Sequence, residues 1–254
     1  MTIVDQAWLP PPADLNLSSN EVHVWRACLN LPASHIHRLR HTLAADELAR
    51  AERFHFEKDR RHFIAGRGLL RLILSRYLDT APGQLRFRYS DYGKPALVFS
   101  PKQALLNFNV SHSHGLALYA VTLGREVGLD LEKVRSDLEY EEIAERFFSP
   151  QENAVLRRLP AEVKPRAFFN CWTRKEAYIK ARGEGLSLPL DQFDVSLVPG
   201  EPARLLNVRG NSQEVGHWSL QALTPAPDYV AALAVEGSDW HLKCWQGGIP
   251  ESGK

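Results

Sequence analysis

VGLDLEKVR, residues 127–135, begins as an apolar strand and then sets two carboxylates, Asp130 and Glu132, on either side of Leu131. Successive strand side chains point to opposite faces, so Val127, Leu129 and Leu131 share one side while Gly128, Asp130 and Glu132 share the other. The plainest expectation from this alternation is a surface strand whose polar face meets water. Two neighbouring carboxylates repel and resist joint ionisation, whereas a hard cation such as Mg²⁺ reverses the sign of that interaction. The pair alone leaves both readings open. A metal reading needs a third ligand and a place for an anionic substrate elsewhere in the chain.

The bulk properties are those of an ordinary globular protein. With 254 residues, 44% hydrophobic and 24% charged, the chain can build one large core or two small ones. Lys plus Arg total 31 against 30 Asp plus Glu, and the formal net charge of +1 gives no reason to expect a nucleic-acid or membrane partner. Any anion site must then be local. Cys28, Cys171 and Cys244 are widely separated, odd in number and without a C-x-x-C pair, which fits free thiols in a reducing compartment. The start MTIVDQAWLPPPADLNLSSN lacks the basic residues and long apolar run of a signal peptide, and no stretch reaches the roughly 18 apolar residues that span a bilayer. A soluble, cytoplasmic protein is the expectation.

Residues 1–20 read as a polar, proline-containing arm leading to the strand EVHVWRA. TLAADELARAERFHF carries helical spacing at Leu43, Glu47 and Leu48 with Thr42 as its cap, and the longer helix DRRHFIAGRGLLRLILSRYL follows. Gly66 and Gly68 within that helix each cost about 1 kcal/mol relative to Ala, so they point to close backbone approach. RFRYSDYGKPALVF alternates around a D-Y-G-K-P turn, and LLNFNVSHSHGLALYAVTLG gives two strands broken at SHSHG. Beyond VGLDLE come the helix DLEYEEIAERFFS and a second one in SPQENAVLRRLP, with Ser149 as cap, Pro150 at the first position and Glu152 three residues on. The helix RAFFNCWTRKEAYIKARG is followed by strands in LSLPLDQFDVSLVPG, GHWSLQALTP and DYVAALAVE, and by a tail, residues 241–254, whose last part QGGIPESGK reads as disordered.

The elements repeat. AERF occurs at Ala51–Phe54 and at Ala144–Phe147, and strand, helices, hairpin and strand recur in the same order around each. The pattern predicts an α+β fold of two pseudo-symmetric halves, residues 21–125 and 126–240, each a small, mainly antiparallel sheet packed against helices. A cleft between such halves is the usual place for a small-molecule site.

In CWTRKEAYIKARGEG, Glu176 and Lys180 share a helical face four residues apart. They form either an ordinary i,i+4 ion pair, worth about 0.2 to 0.5 kcal/mol, or the missing third carboxylate and a phosphate partner. NFNVSHSHG places Ser111 and His112 at a strand break, on opposite faces, so they cannot form a hydrolase dyad with each other, and His114 has no evident role. Ser111, His112 and Lys94 in YGKPAL could instead donate to a phosphate, while Lys94 could equally be a solvated turn lysine. No G-x-x-x-x-G-K-[ST] or G-x-G-x-x-G loop is present, which removes P-loop and dinucleotide-oxidoreductase readings.

Taken together and in order, these segments resemble the Sfp-type 4′-phosphopantetheinyl transferases, most closely the cyanobacterial members. VGLDLEKVR matches the family's G-[IV]-D-[ILV]-E motif and WTRKEAYIKARGEGLSLPLDQFDV its W-x-x-K-E-[AS]-x-x-K motif, with ERFFSPQE, GKPAL and FNVSHS also matching, from about Val22 to Val235. The resemblance implies transfer of 4′-phosphopantetheine from coenzyme A to a serine of an apo acyl or peptidyl carrier protein, by a monomer of two similar halves. It implies Asp130, Glu132 and Glu176 as ligands of Mg²⁺, with Mn²⁺ possible chemically, and Lys180 at the pyrophosphate. Lys94, Ser111, His112 and Arg50 fall at coenzyme A phosphate positions. Catalysis falls to Glu176, Lys180 and Asp130. Glu47 departs from the pattern, standing where some members carry a second basic residue, three positions before Arg50. Arg67 and Glu152 also match family positions, but a structural role suffices for each. Two other classes carry the same acids: a metal-dependent phosphodiesterase acting on coenzyme A or a nucleotide, and a non-catalytic coenzyme A or carrier-binding protein.

Overall fold

The apolar side of VGLDLE is the seam around which the molecule is built. A computed structural model describes residues 7–90, 93–98, 105–183, 185 and 188–249; Asp91 and Tyr92 of the expected turn, the first six residues and the last five lie outside it. The first half comprises β1 (Glu21–Cys28), α1 (Ala33–Arg40), α2 (Ala45–Ala51), α3 (Glu57–Ser75), the short pair β2 (Phe87–Tyr89) and β3 (Pro95–Leu97), and the hairpin β4 (Leu106–Ser113) and β5 (Leu116–Leu123). The second half follows the same order: β6 (Val127–Lys133), α4 (Tyr140–Phe147), α5 (Pro150–Arg158), α6 (Lys164–Arg182), β7 (Phe193–Val195) and β8 (Leu205–Val208), a single turn α7 (Glu214–His217), then β9 (Trp218–Leu223) and β10 (Tyr229–Glu236). A last strand, β11 (His241–Gln246), closes the chain.

The sheets run β11-β1-β5-β4 and β6-β10-β9, so β1-β5-β4 and β6-β10-β9 are topological copies. Val22, Val24, Leu118 and Ala120 of one sheet and Val127, Leu129, Leu131 and Leu233 of the other form a common buried cluster. The opposite faces are covered by helices, α3 over the first sheet and α6 over the second, each with its own core. The result is an α+β molecule of two similar halves.

Several elements differ from expectation for identifiable reasons. The two AERF segments are not equivalent: the first ends α2 and enters a loop, whereas the second lies inside α4, the counterpart of α1. The repeat is carried by element order, not by those letters. Thr42 does not cap α2; its hydroxyl donates to the Leu39 carbonyl at the end of α1, a helix the sequence reading had left unassigned. Residues 241–246 are not tail but β11, parallel to β1 and covering its outer edge, while Leu9 of the arm pairs with Trp245 on the far side. Gly68 does permit close approach, since a Cβ there would lie 2.6 Å from Leu39 Cβ of α1.

The N-terminal corner of α5 is as expected: Ser149 Oγ accepts from Glu152 N, and Glu152 Oε2 accepts from Ser149 N at 2.9 Å. Glu152 also meets the fully buried Lys175 at 2.8 Å. In the first half, Glu47 accepts from Ala44 N at the start of α2 and pairs with Arg71 at 2.7 Å and with Arg67 at 3.2 Å. Glu47 is therefore a buried structural anion, the counterpart of Glu152, and Arg67 is its partner.

Candidate active site

Gly128 determines how closely α6 can approach β6. A Cβ at this position would fall 2.0 Å from the Ala177 carbonyl oxygen and 2.2 Å from Ala181 N, so only glycine lets the helix lie flat on the strand. With α6 in place, the face carrying Gly128, Asp130 and Glu132 is covered by protein rather than water. Asp130 is only 4% exposed, which overturns the surface-strand reading. Gly183, at φ 72°, then ends α6 in the left-handed conformation.

Glu176 and Lys180, one turn apart near that end, point to the same place. Lys180 Nζ lies 2.6 Å from Asp130 Oδ1, and so makes its closest ion pair across to the strand rather than along its own helix to Glu176. Both residues line a cleft of ≈ 490 Å³ together with Gly93, Lys94 and Pro95 from the β2–β3 turn and Asn109 and Val110 from β4. The cleft lies between the halves.

The local electrostatics follow from three acids sharing this space. Burial raises the pKa of Glu176, and the Asp130 charge raises it further. Glu132 is raised for the same two reasons, against a lowering hydrogen bond from Ser113. Burial alone would depress the Lys180 ammonium, but Asp130, Glu176 and Glu132 outweigh it and the net shift is upward. Among the described residues no three His, Cys, Asp or Glu side chains form a ready-made metal cage. In this arrangement Lys180 supplies the positive charge the acids require. Asp130 Oδ2 is buried without a hydrogen-bond partner. An orphaned carboxylate oxygen beside two further carboxylates is a hard-oxygen donor set that fits Mg²⁺ or Mn²⁺.

The expected phosphate partners are placed unevenly. Lys94 borders the cleft and, as the molecule stands, pairs with Glu126 at 3.3 Å. His112 is exposed near the end of β4; desolvation and the Lys180 charge both hold its imidazole below the ordinary value. Ser111 is buried, and its hydroxyl donates to Asp130 Oδ1 at 3.0 Å, so its proton serves the carboxylate here instead of a phosphate. Arg50 lies on α2 with its guanidinium over the Phe63 ring and is not among the residues lining the cleft. His114, at φ 47°, and Gly115, at φ 87°, form the two-residue turn between β4 and β5.

Sequence reasoning missed Asn109 and Ser113. Asn109 Oδ1, Ser111 Oγ and Ser113 Oγ accept from Leu129, Leu131 and Lys133 N respectively, and Ser113 also donates to Glu132 Oε2 at 2.9 Å. Their signal was the period-two alternation N-x-S-x-S in β4, facing D-x-E in β6.

Comparisons with known proteins identify the family. Residues 30–123 match the family model for the N-terminal part of 4′-phosphopantetheinyl transferases, and residues 126–234 match the 4′-phosphopantetheinyl transferase superfamily. The chain is 46% identical over 243 residues to the 4′-phosphopantetheinyl transferase HetI of Nostoc sp., covering 96% of this chain and 99% of that protein. The chain belongs to the Sfp-type 4′-phosphopantetheinyl transferases. It is also 33% identical over 156 residues to the transferase Sfp of Bacillus subtilis, covering 61% of this chain and 66% of that protein. Coenzyme A-dependent transfer to carrier proteins is thus the activity of this enzyme, and neither the hydrolase nor the adaptor alternative is favoured. Among the described residues no helix is long and apolar enough to cross a membrane.

Proposed function

We propose that this transferase moves 4′-phosphopantetheine from coenzyme A to a serine hydroxyl of an apo acyl or peptidyl carrier protein, in the cytoplasm, as a single chain with Mg²⁺. The observation that carries the reading is the grouping of Asp130, Glu132 and Glu176 around Lys180 at the edge of the cleft, with a buried Asp130 oxygen left unpartnered. Asp130, Glu132 and Glu176 would hold the cation. When bound, it neutralises pyrophosphate charge and polarises the phosphorus.

Glu176 accepts the serine proton at its carboxylate, which lines the cleft one helical turn from Lys180. The serine oxygen forms a bond to the phosphorus nearer pantetheine as the bond to the bridging oxygen breaks, releasing 3′,5′-adenosine bisphosphate. Lys180, held cationic by the three acids, faces the leaving phosphate once its Asp130 contact is relaxed. Lys94, which lines the cleft, binds a coenzyme A phosphate, with His112 and Arg50 as the remaining family positions for such contacts, while the Ser111 hydroxyl, already given to Asp130, holds that carboxylate. Most of the rate then comes from positioning and charge stabilisation, as in phosphoryl transfer generally.

Intact mass spectrometry of an apo acyl carrier protein incubated with the enzyme, coenzyme A and Mg²⁺ tests this directly. The expected result is a gain of one phosphopantetheine that EDTA prevents. Coenzyme A consumption without carrier modification would sink the proposal.

A further inference from the structure

β4 and β6 are the adjoining edges of the two sheets, and the hydrogen bonds that join them come from side chains. Asn109, Ser111 and Ser113, at alternate positions on β4, accept from the amides of Leu129, Leu131 and Lys133 on β6. These three side chains take the place of a backbone ladder between the halves.

Two of them do more. Each serine oxygen accepts one β6 amide and donates its single proton to the carboxylate one residue earlier: Ser111 to Asp130 Oδ1 at 3.0 Å and Ser113 to Glu132 Oε2 at 2.9 Å. A hydroxyl committed in both directions has a fixed orientation, so it fixes the carboxylate that receives its proton.

The two carboxylates are not equally secured. Asp130 is also held by Lys180, whereas among the described residues the hydrogen bond to Glu132 comes from Ser113 alone. Ser113 is itself 7% exposed, below the surface, with His114 Nδ1 at 3.0 Å as its other polar neighbour. It is badly placed to touch coenzyme A and well placed to aim Glu132.

We infer that Ser113 is a positioning residue for the reaction: its hydroxyl, anchored on the Lys133 amide across the junction of the halves, sets the Glu132 carboxylate in the orientation that receives the divalent cation. This inference rests on the metal-assisted transfer proposed above. It places part of the metal site's geometry on the first half, although all three acids belong to the second.

The test is Mn²⁺ binding, followed by electron paramagnetic resonance, to the enzyme with coenzyme A and no carrier protein, so that no turnover is involved. Ser113→Ala should weaken Mn²⁺ binding about tenfold, in the range for removing a partner that orients a metal ligand. Ser113→Thr, which keeps the hydroxyl, should restore it. In a Glu132→Ala background, Ser113→Ala should add no further loss, because the serine acts through that carboxylate. Mn²⁺ affinity within about twofold of wild type in Ser113→Ala would overturn the inference, as would a full additive loss on top of Glu132→Ala. If Ser113→Ala does not fold, Ser113→Cys, of similar size and weaker hydrogen bonding, poses the same question. Tight Mn²⁺ binding that survives both Asp130→Ala and Glu176→Ala would refute the proposed metal ligands, an outcome distinct from a failure of Ser113 alone.

Discussion

β1 and β6 are the same strand in the two copies of the fold, and they use the same face for opposite purposes. With Val22 and Val127 matched as the first residues on the shared apolar side, His23, Trp25 and Ala27 correspond to Gly128, Asp130 and Glu132. In the first half this face is core: Trp25 and Ala27 pack with Ile64, Ala65 and Leu69 of α3, and the Trp25 indole donates to Tyr77 Oη at 2.7 Å. In the second half the equivalent positions hold a gap and two acids under α6. One copy of the fold therefore spends the strand–helix interface on stability, and the other spends it on chemistry.

The comparison breaks most sharply at Glu176 and Asp130. Asp130→Ala and Glu176→Ala should each abolish transfer, by about three orders of magnitude or more given the reliance of phosphoryl transfer on charge stabilisation. Near-normal turnover in either, by the mass assay, would refute the division of labour. Glu176→Gln should also raise the thermal midpoint of the metal-free protein at pH 7. Its carboxyl has a folded pKa above the unfolded value, so ionisation at neutral pH is a cost to the folded state, relieved as pH falls through the raised value. Calorimetry in EDTA checks the sign; a lower midpoint in Glu176→Gln would contradict it. Trp25→Ala is the converse case, costing about 3–5 kcal/mol of stability through the cavity it leaves.

The halves also carry equivalent buried ion pairs, Glu47 with Arg71 and Glu152 with Lys175. Breaking one by removing a single partner, as in Lys175→Met, should cost about 3–5 kcal/mol in chemical denaturation. Replacing Arg71 by Met should cost less, because Glu47 keeps a second partner in Arg67 at 3.2 Å. Equal losses would show that Arg67 does not compensate for the missing Arg71. Gly128→Ala should lower the denaturation midpoint, since its new Cβ meets helix backbone that no side-chain rotation can clear.

These contrasts explain what the sequence could and could not reveal. Element order, the Asp130 and Glu132 alternation, the Ser149 cap and the helix bearing Glu176 and Lys180 were all legible, because each is set by a local period or a local hydrogen bond. The role of Glu47 was not. Set against the family pattern it looked like a lost cation in a phosphate site, and only the long-range contacts with Arg67 and Arg71 show it to be structural. Nor was β11, whose partner β1 lies more than 200 residues away in the chain. Ser113 was hidden for the same reason, since its two partners belong to a strand in the other half.

The smallest expected effect concerns Lys94, the cleft lysine contributed by the first half among the described residues. Lys94 Nζ lies 3.3 Å from Glu126 Oε2, which is half exposed just ahead of β6. Such a pair is worth little in itself, about 1 kcal/mol or less. If Lys94 binds a coenzyme A phosphate, however, that contact must be given up first, so Glu126 competes with the substrate. Glu126→Gln should then lower the KM for coenzyme A by about two- to fivefold, the equivalent of up to 1 kcal/mol, with kcat unchanged. Lys94→Ala should raise KM and make the Glu126 substitution silent. A Glu126→Gln enzyme with an unchanged or higher KM would mean that Lys94 remains with the second half when coenzyme A binds, and that the first half's contribution to the phosphates comes from His112 and Arg50 instead.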